Sequence, residues 1–187
     1  MLDFSSALKK EHQYNDLTIK EIAPVMKLIV RGKKREFFTN IGKNLNMILP
    51  TEANTSSSND KISAIWLSPD EWLIFTNNKV DENTNKYELE ENLFHSISKH
   101  NLGAVVNVTD QFVMLELEGK NIYELFSTGS PFDFSKFKIK KGSTTQTLLN
   151  NIDVIIRHKS ENLVNLFVRR SFSEHLSSWI NDSASRL

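Results

Sequence analysis

Apolar side chains recur along the chain with two different periods, separated by turn residues. Short apolar or alternating runs predict six strands outside the hairpin described below, at 25–30, 104–108, 112–117, 143–149, 152–157 and 163–168. Helical spacing predicts helices at 33–41, 86–100, 121–128 and 171–181. Gly42 is expected to end the first helix, and Ser171 is expected to cap the last one, with Glu174 at the capping-box position.

Polar stretches without periodicity lie between these elements. Residues 1–20 are polar and irregular, and a short helix is expected around residues 5–12. Residues 50–61 and 77–85 have the composition of loops.

Residues 64–75, Ala-Ile-Trp-Leu-Ser-Pro-Asp-Glu-Trp-Leu-Ile-Phe, predict a β-hairpin with unusually large side chains. Apolar residues occupy both faces of each half, so one face fills the core and the other needs a cover, from this chain or from a second protein. Large aromatic side chains such as Trp66 and Trp72 are good interface anchors. Core packing is the default for both, and a protein interface is the alternative.

Arg169 and Arg170 follow the last predicted strand. They would suit an anion or an acidic partner surface, and we favour the partner because arginine is enriched at protein interfaces. The candidate interface residues are therefore Trp66, Trp72, Arg169 and Arg170.

The two halves of the chain resemble each other. Gly32 and Gly119 are 87 residues apart, and so are Gly42 and Gly129. Residues 70–75 also correspond to 161–167, with one residue added. The sequence therefore predicts an α+β fold of two duplicated strand–helix–strand–strand–helix units, with mostly antiparallel sheets and helices packed on one face. The predicted divisions are an N-terminal extension (1–20), a first half (21–103) and a second half (104–187), which together form one compact unit.

Charge and composition exclude several classes of function. The chain has 23 Lys and Arg and 23 Asp and Glu, so no net field attracts nucleic acid or an anionic membrane. It has no cysteine, which excludes disulfides and thiolate chemistry. No apolar run approaches the roughly 18 residues of a membrane span. We expect a soluble cytoplasmic protein that binds neither nucleic acid nor a membrane.

No constellation of catalytic, cofactor-binding or metal-binding residues is recognised in the sequence. The five histidines form no close ligand pair, no Gly-x-Ser-x-Gly motif is present, and six glycines build no phosphate-binding loop. Asp70 and Glu71 are adjacent carboxylates, but Ser68-Pro69-Asp70-Glu71 is typical of a turn, which is the favoured interpretation.

Several sequence blocks, in the same order, resemble the gamma subunits of heterotetrameric sarcosine oxidases. The blocks are 64–75 (Trp-Leu-x-Pro-Asp-Glu-Trp-Leu in the family), Val-Val-Asn-Val-Thr at 105–109, Gly-Ser-Pro-Phe-Asp at 129–133, Gln-Thr-Leu-Leu at 146–149 and Phe-Val-Arg-Arg-Ser-Phe at 167–172. The resemblance implies a fold related to that of folate-binding aminomethyltransferases.

The resemblance also implies a role. Complexes of this family oxidise sarcosine with tetrahydrofolate and oxygen, giving glycine, methylenetetrahydrofolate and hydrogen peroxide. FAD, FMN, NAD, tetrahydrofolate and zinc would belong to other subunits and none to this chain. Its partners would be the alpha, beta and delta subunits, chiefly alpha, and its role would be assembly rather than catalysis. The alternative is a free-standing folate-binding protein of the aminomethyltransferase type.

Overall fold

The computed structural model of the protein describes residues 6–7, 11–14, 16–77 and 87–187. The strands in chain order are β1 (His12–Tyr14), β2 (Leu17–Glu21), β3 (Lys27–Gly32), β4 (Ser56–Ser58), β5 (Ile62–Ser68), β6 (Glu71–Thr76), β7 (Gly103–Asn107), β8 (Phe112–Gly119), β9 (Thr144–Leu149), β10 (Ile152–Ser160) and β11 (Leu163–Arg169). The helices are α1 (Arg35–Leu45), α2 (Glu88–Leu93), α3 (Ile122–Ser127), α4 (Phe134–Phe137) and α5 (Ser173–Ala184). A π-helical turn (Phe94–Ser98) continues α2, and a 3-10 turn (Arg170–Phe172) precedes α5.

The chain divides into two compact units. The central unit is Pro24–Thr109, and the split unit combines Met1–Ala23 with Asp110–Leu187. The central unit has a five-stranded sheet of order β4-β5-β6-β3-β7, and the split unit has a six-stranded sheet of order β1-β2-β8-β11-β10-β9. All the paired strands described are antiparallel, which confirms the predicted fold class.

Helices cover one face of the sheet in the central unit. Phe37, Ile41 and Leu45 recur every four residues along α1 and are buried on the same core as Leu93 and Ile97. The strand side of this core consists of alternate residues of β3, β5 and β6: Leu28, Val30, Ala64, Trp72 and Ile74. Helical and strand periodicity thus meet in one apolar layer.

The split unit has the same construction. Its core joins α3, α4 and α5 to alternate residues of the sheet, with contributions from Phe126, Phe134 and Leu176 on the helices and Leu117 and Leu166 on the strands. The short helix α4 is absent from the sequence prediction. The Asp133 side chain caps it by accepting a hydrogen bond from the Ser135 backbone N–H at 2.9 Å.

The two sheets have equivalent topology, as the duplication predicts. β3, β4, β5 and β6 correspond in order to β8, β9, β10 and β11. The first residues of α1 and α3, Arg35 and Ile122, are 87 apart, the same spacing as the glycine pairs, although α3 is the shorter helix. A fifth strand lies beside β3 in one unit and beside β8 in the other, and it is β7 in the central unit but β2 in the split unit.

The description of residues 1–20 as an extension with a short helix is wrong for the part that the structure describes. β2 pairs with β8 along its whole length, and β1 pairs with β2. Leu17 and Ile19 are buried in the core, so the alternation in Leu-Thr-Ile-Lys-Glu is a strand signal that the surrounding polar residues obscured. The two halves also exchange edge strands relative to the predicted boundaries. That they form one compact unit stays a prediction.

Three smaller expectations also need correction. Gly42 lies inside α1 and does not end it, because the helix continues to Leu45 and closes at Asn46, whose φ of 49° is left-handed. The predicted loop 50–61 contains the short strand β4. Ser171 does not cap the last helix: it lies in the 3-10 turn, and Ser173 donates a hydrogen bond to the Arg170 carbonyl at 2.7 Å. The loop predicted at 77–85 lies outside the described residues apart from Asn77.

Among the described helices, none is long and apolar enough to cross a lipid bilayer.

Candidate functional site

Trp72 is a core residue and does not line a free surface. Its side chain is 1% exposed, and its indole N–H donates a hydrogen bond to the Pro50 carbonyl at 2.8 Å. The rings of Phe37 and Phe38 lie 5.8 and 5.4 Å from it, centroid to centroid. The interface prediction for Trp72 therefore requires correction: the indole is used to join the sheet to α1 and to the loop before β4.

Trp66 lies opposite Trp72 on the neighbouring strand, on the same face of the sheet. It is half-buried and packs against the edge of the core that Trp72 fills. Phe38 and Met47 also pack on this core while lining an open groove of about 510 Å³, whose rim includes the exposed Ile48. Part of the Trp66 side chain therefore remains exposed, and its role in an interface stays a prediction.

The other face of the hairpin is not available. Ile65, Leu73 and Phe75 alternate with the core residues and are buried as well. The choice between core and interface, which the sequence left open, is therefore settled towards burial for most of the hairpin.

Arg169 and Arg170 lie where β11 passes into the 3-10 turn. Arg169 ends the ladder opposite Phe112 and is exposed, and no ion pair to it is found in the described part of the chain. Arg170 is half-buried, and its backbone N–H donates to the Gln111 carbonyl at 2.8 Å. Phe172, about half exposed, follows directly. Arg169 and Phe172 thus present a cation and an aromatic ring at one end of the split unit.

Asp70 and Glu71 form a turn, as the sequence indicates. The Ser68 hydroxyl donates to the Asp70 carboxylate at 2.9 Å, and Arg31 lies 3.6 Å from Asp70 and 3.8 Å from Glu71. The hydrogen bond from Ser68, aided by the charges of Lys33 and Arg31, lowers the pKa of Asp70. An acid held in its ionised form by a serine and two cations stabilises a turn and is poorly suited to proton transfer.

A row of polar side chains crosses the second face of the split unit's sheet, and sequence reasoning missed it. Lys20, Glu116, Asn165, Arg157 and Thr144 are successive register partners on β2, β8, β11, β10 and β9. One polar residue per strand carries no signal in a single sequence, because the row exists only once the register is known.

Glu116 is the centre of this row. Lys20 and Lys159 each lie 3.0 Å from its carboxylate, and the Asn165 amide donates to it at 3.4 Å. Burial alone would raise the pKa of Glu116, but the hydrogen bonds and charges of Lys159 and Lys20 outweigh it, and the pKa falls below its usual range. Arg157 donates to Asn165 at 3.3 Å, and burial lowers its pKa to about 10. Glu116 is thus held ionised by its two lysines, which makes it poorly suited to proton transfer, whereas the Thr144 hydroxyl at the end of the row is buried without a hydrogen-bond partner within the described residues.

Tyr123 and His158 form a second buried polar contact, on the helix-covered face. The Tyr123 hydroxyl is hydrogen-bonded to His158 Nδ1 within a cluster of phenylalanine rings, which includes Phe134 and Phe137. Burial raises the pKa of Tyr123 and lowers the pKa of His158, so both groups are neutral near pH 7.

No metal centre emerges from these groups. Within the described ranges, no three His, Asp or Glu side chains lie together in a way that suits a metal ion.

Two antiparallel α+β units of equivalent topology define the class of this chain, which is the aminomethyltransferase-like fold. The crystal structure of glycine cleavage system aminomethyltransferase T from Bartonella henselae superimposes with a TM-score of 0.63, at 14% identity, over 91% of this chain and 47% of that one. This chain therefore spans about half of that protein.

The chain belongs to the sarcosine oxidase, gamma subunit family, whose model matches residues 32–186. A chain of the heterotetrameric sarcosine oxidase from Corynebacterium sp. U-96, solved in complex with pyrrole 2-carboxylate, has the same fold, with a TM-score of 0.80 and 22% identity. The match covers 91% of this chain and 84% of that one. A comparison with curated proteins gives no match.

Proposed function

We propose that the chain is the gamma subunit of a sarcosine oxidase complex and serves its assembly rather than its chemistry. The observation that carries this proposal is the family match across residues 32–186 together with the shared fold of a chain of a heterotetrameric sarcosine oxidase. Two buried polar groups support it, since the Glu116 carboxylate is paired with Lys20 and Lys159 and the Tyr123 hydroxyl with His158.

The partners in this proposal are the alpha, beta and delta subunits, chiefly alpha, in the cytoplasm. The complex would convert sarcosine, tetrahydrofolate and oxygen into glycine, methylenetetrahydrofolate and hydrogen peroxide. FAD, FMN, NAD, tetrahydrofolate and zinc would be held by the other subunits. Trp66, Arg169 and the exposed Phe172 are the side chains we assign to subunit contact.

Co-expression with the alpha, beta and delta subunits of a sarcosine oxidase tests the proposal. We expect this chain to co-purify with the alpha, beta and delta subunits in one complex, and its omission to lower the yield and thermal stability of the rest. Trp66→Ala should weaken co-purification with a small loss in the melting temperature of the isolated chain. Trp72→Ala is the matched comparison. We expect it to lower the stability of the isolated chain, because emptying a buried indole site costs about 3–5 kcal/mol of folding free energy. Failure to associate with any oxidase subunit would overturn the proposal.

A free-standing folate-binding protein is the second candidate, favoured by the fold shared with aminomethyltransferase T. Calorimetric titration of the isolated chain with tetrahydrofolate separates the two. The assembly role requires no heat of binding and a colourless protein, whereas measurable binding would favour the second candidate.

A further inference from the structure

The two units differ at one position of their otherwise equivalent sheets. In the split unit, the outer edge of β2 is covered by β1, with His12 opposite Ile19 and Tyr14 opposite Leu17. In the central unit, β7 stands at the position of β2, and no strand of the described residues pairs with its outer edge. At this position, the described residues therefore provide a covering strand in the split unit and none in the central unit.

The backbone of β7 is oriented for a further strand. The Val108 N–H donates to the Lys27 carbonyl at 2.9 Å, so in this register Ala104 and Val106 turn their backbone polar groups towards β3. The N–H and C=O of Val105 then point away from β3, and no hydrogen bond to them is found in the described ranges. The side chain of Val105 is half-buried, whereas Ile19, its equivalent on β2, is 2% exposed.

Within the described ranges, the β7 edge has few of the features that keep sheet edges apart, and its one side-chain tie to α2 is the hydrogen bond that Asn107 donates to Glu90 at 2.6 Å. Its sequence, Gly-Ala-Val-Val-Asn, has no charge and no proline, and Val106 is 52% exposed. Natural edge strands are normally protected by charged residues, proline, bulges or a covering element. An open, uncharged edge of this kind favours strand addition by another chain.

The groove beside this edge indicates the chemistry of the added strand. It measures about 390 Å³ and is lined by Tyr87, Glu90, Glu91, Phe94, His95 and Asn107. Tyr87 and Phe94 are each 47% exposed, and α2 carries three glutamates without a basic residue. In the split unit, Asn181 of α5 hydrogen-bonds both His12 and Tyr14 of β1, so a helix that contacts the covering strand has a precedent within this chain.

We propose that β7 pairs with an extended strand of a partner oxidase subunit, in the position that β1 occupies in the split unit. The side chains of that strand alternate, so that an apolar one contacts Phe94 and a Lys or Arg on the same face approaches Glu91. The inference rests on the proposed function, because the partner is a subunit of the same complex.

Amide hydrogen exchange measures the pairing directly. In the isolated chain, we expect the Val105 amide to exchange fast, and in the purified complex, at least about tenfold more slowly, because it then donates to the partner strand. Unchanged exchange at residues 103–107 in a complex that has formed would overturn this inference while leaving the proposed function intact. Concentration-dependent protection in the isolated chain would also overturn it, since a second copy would then be the occupant. Absence of any complex would count against the proposed function instead.

Val105→Pro removes the outward N–H without touching the ladder to β3, and proline is tolerated at such edge positions. We expect it to weaken association with the partner by about tenfold or more, while Val105→Thr, which keeps the N–H and the branched side chain, binds as the natural chain does. Equal binding by both variants would contradict the inference.

A second variant keeps the inference testable if the proline variant does not fold. Glu91→Lys should weaken association by about tenfold. Glu36→Lys, which reverses the charge at an exposed position of α1, should leave association unchanged. Equal effects of the two charge reversals would contradict the prediction that the partner strand places a Lys or Arg near Glu91.

Discussion

The contact between Tyr123 and His158 shows how burial keeps two titratable side chains of this protein uncharged. His158 is 2% exposed, its imidazole packs against the rings of Phe137 and Tyr123, and the Tyr123 hydroxyl is its hydrogen-bond partner. A protonated imidazole in this position would lose its hydration without gaining a counter-charge, because Tyr123 stays protonated far above neutral pH. The folded state therefore favours neutral His158.

This residue should make stability depend on pH. Because the folded-state pKa of His158 lies below its unfolded value, the unfolded chain binds the proton more readily, and stability falls as pH drops below about 6.5. The slope contributed by one proton is at most about 1.4 kcal/mol per pH unit. Denaturant titrations between pH 7.5 and 5 should show this loss for the natural chain and a flatter dependence for His158→Gln.

His100, which is exposed, provides the control for this measurement. His100→Gln should keep the slope of the natural chain. A slope that survives in His158→Gln would show that another group is responsible.

At the scale of elements, some strands pack so closely that only glycine fits between them, and the sequence shows these positions only as glycines. Gly119 ends β8 with a φ of 145°, and a Cβ built there would lie 1.9 Å from the Asp16 carbonyl oxygen and 2.8 Å from the Leu17 Cα. Gly42, by contrast, lies inside α1, where a Cβ would meet only the Met47 carbonyl at 3.6 Å, an ordinary contact. Gly42 and Gly119, one from each of the two glycine pairs that marked the duplication, thus have different physical roles.

Replacing each glycine by alanine should therefore give effects of opposite sign. Gly119→Ala should destabilise the protein by about 2 kcal/mol or more, because the backbone is strained and β2 must move away from β8. Gly42→Ala should stabilise it by about 0.5–1 kcal/mol, because alanine loses less entropy in a helix interior. Urea denaturation measures both changes, and a Gly119→Ala variant as stable as the natural chain would contradict this account.

The sequence predicted best the elements in which burial of one face gives the apolar residues a regular spacing. The hairpin of β5 and β6, the strands β8, β10 and β11, and the apolar face of α1 follow from local spacing. β2 was missed because its sheet partner β8 lies about a hundred residues away, and the short strand β1 forms only against β2. The row through Glu116 was missed for the same reason, because it depends on register between distant strands. Core packing was the default expectation for Trp72, and the structure shows that it is buried.

At the scale of the whole molecule, the first residues of the chain complete a sheet made by its last third. β1 covers β2, and Tyr14 packs against the split unit's core while its hydroxyl donates to Asn181 of α5 at 3.1 Å. The N-terminal segment thus acts as a structural strand and a protective edge at once.

Removal of residues 1–15 should reveal both effects. We expect a loss of about 1–3 kcal/mol from the exposed core residues and broken ladder, and self-association through the uncovered edge of β2. Chemical denaturation and light scattering after gel filtration measure them. Tyr14→Phe, which removes only the hydroxyl, should cost about 1 kcal/mol and remain monomeric. A truncated chain that is monomeric and fully stable would contradict the role of β1.

The fifth strand also takes a different place in the chain order of the two units. The central unit runs β3, α1, β4, β5, β6, α2, β7 without interruption, and the split unit has the same order only if Leu187 is followed by the N-terminus. In the order of their shared elements, the two units are therefore related by a circular permutation, with the fifth strand last in the central unit and ahead of the others in the split unit. A rearranged gene that starts at Pro24 and appends residues 1–23 after Leu187 would encode the two repeats in tandem.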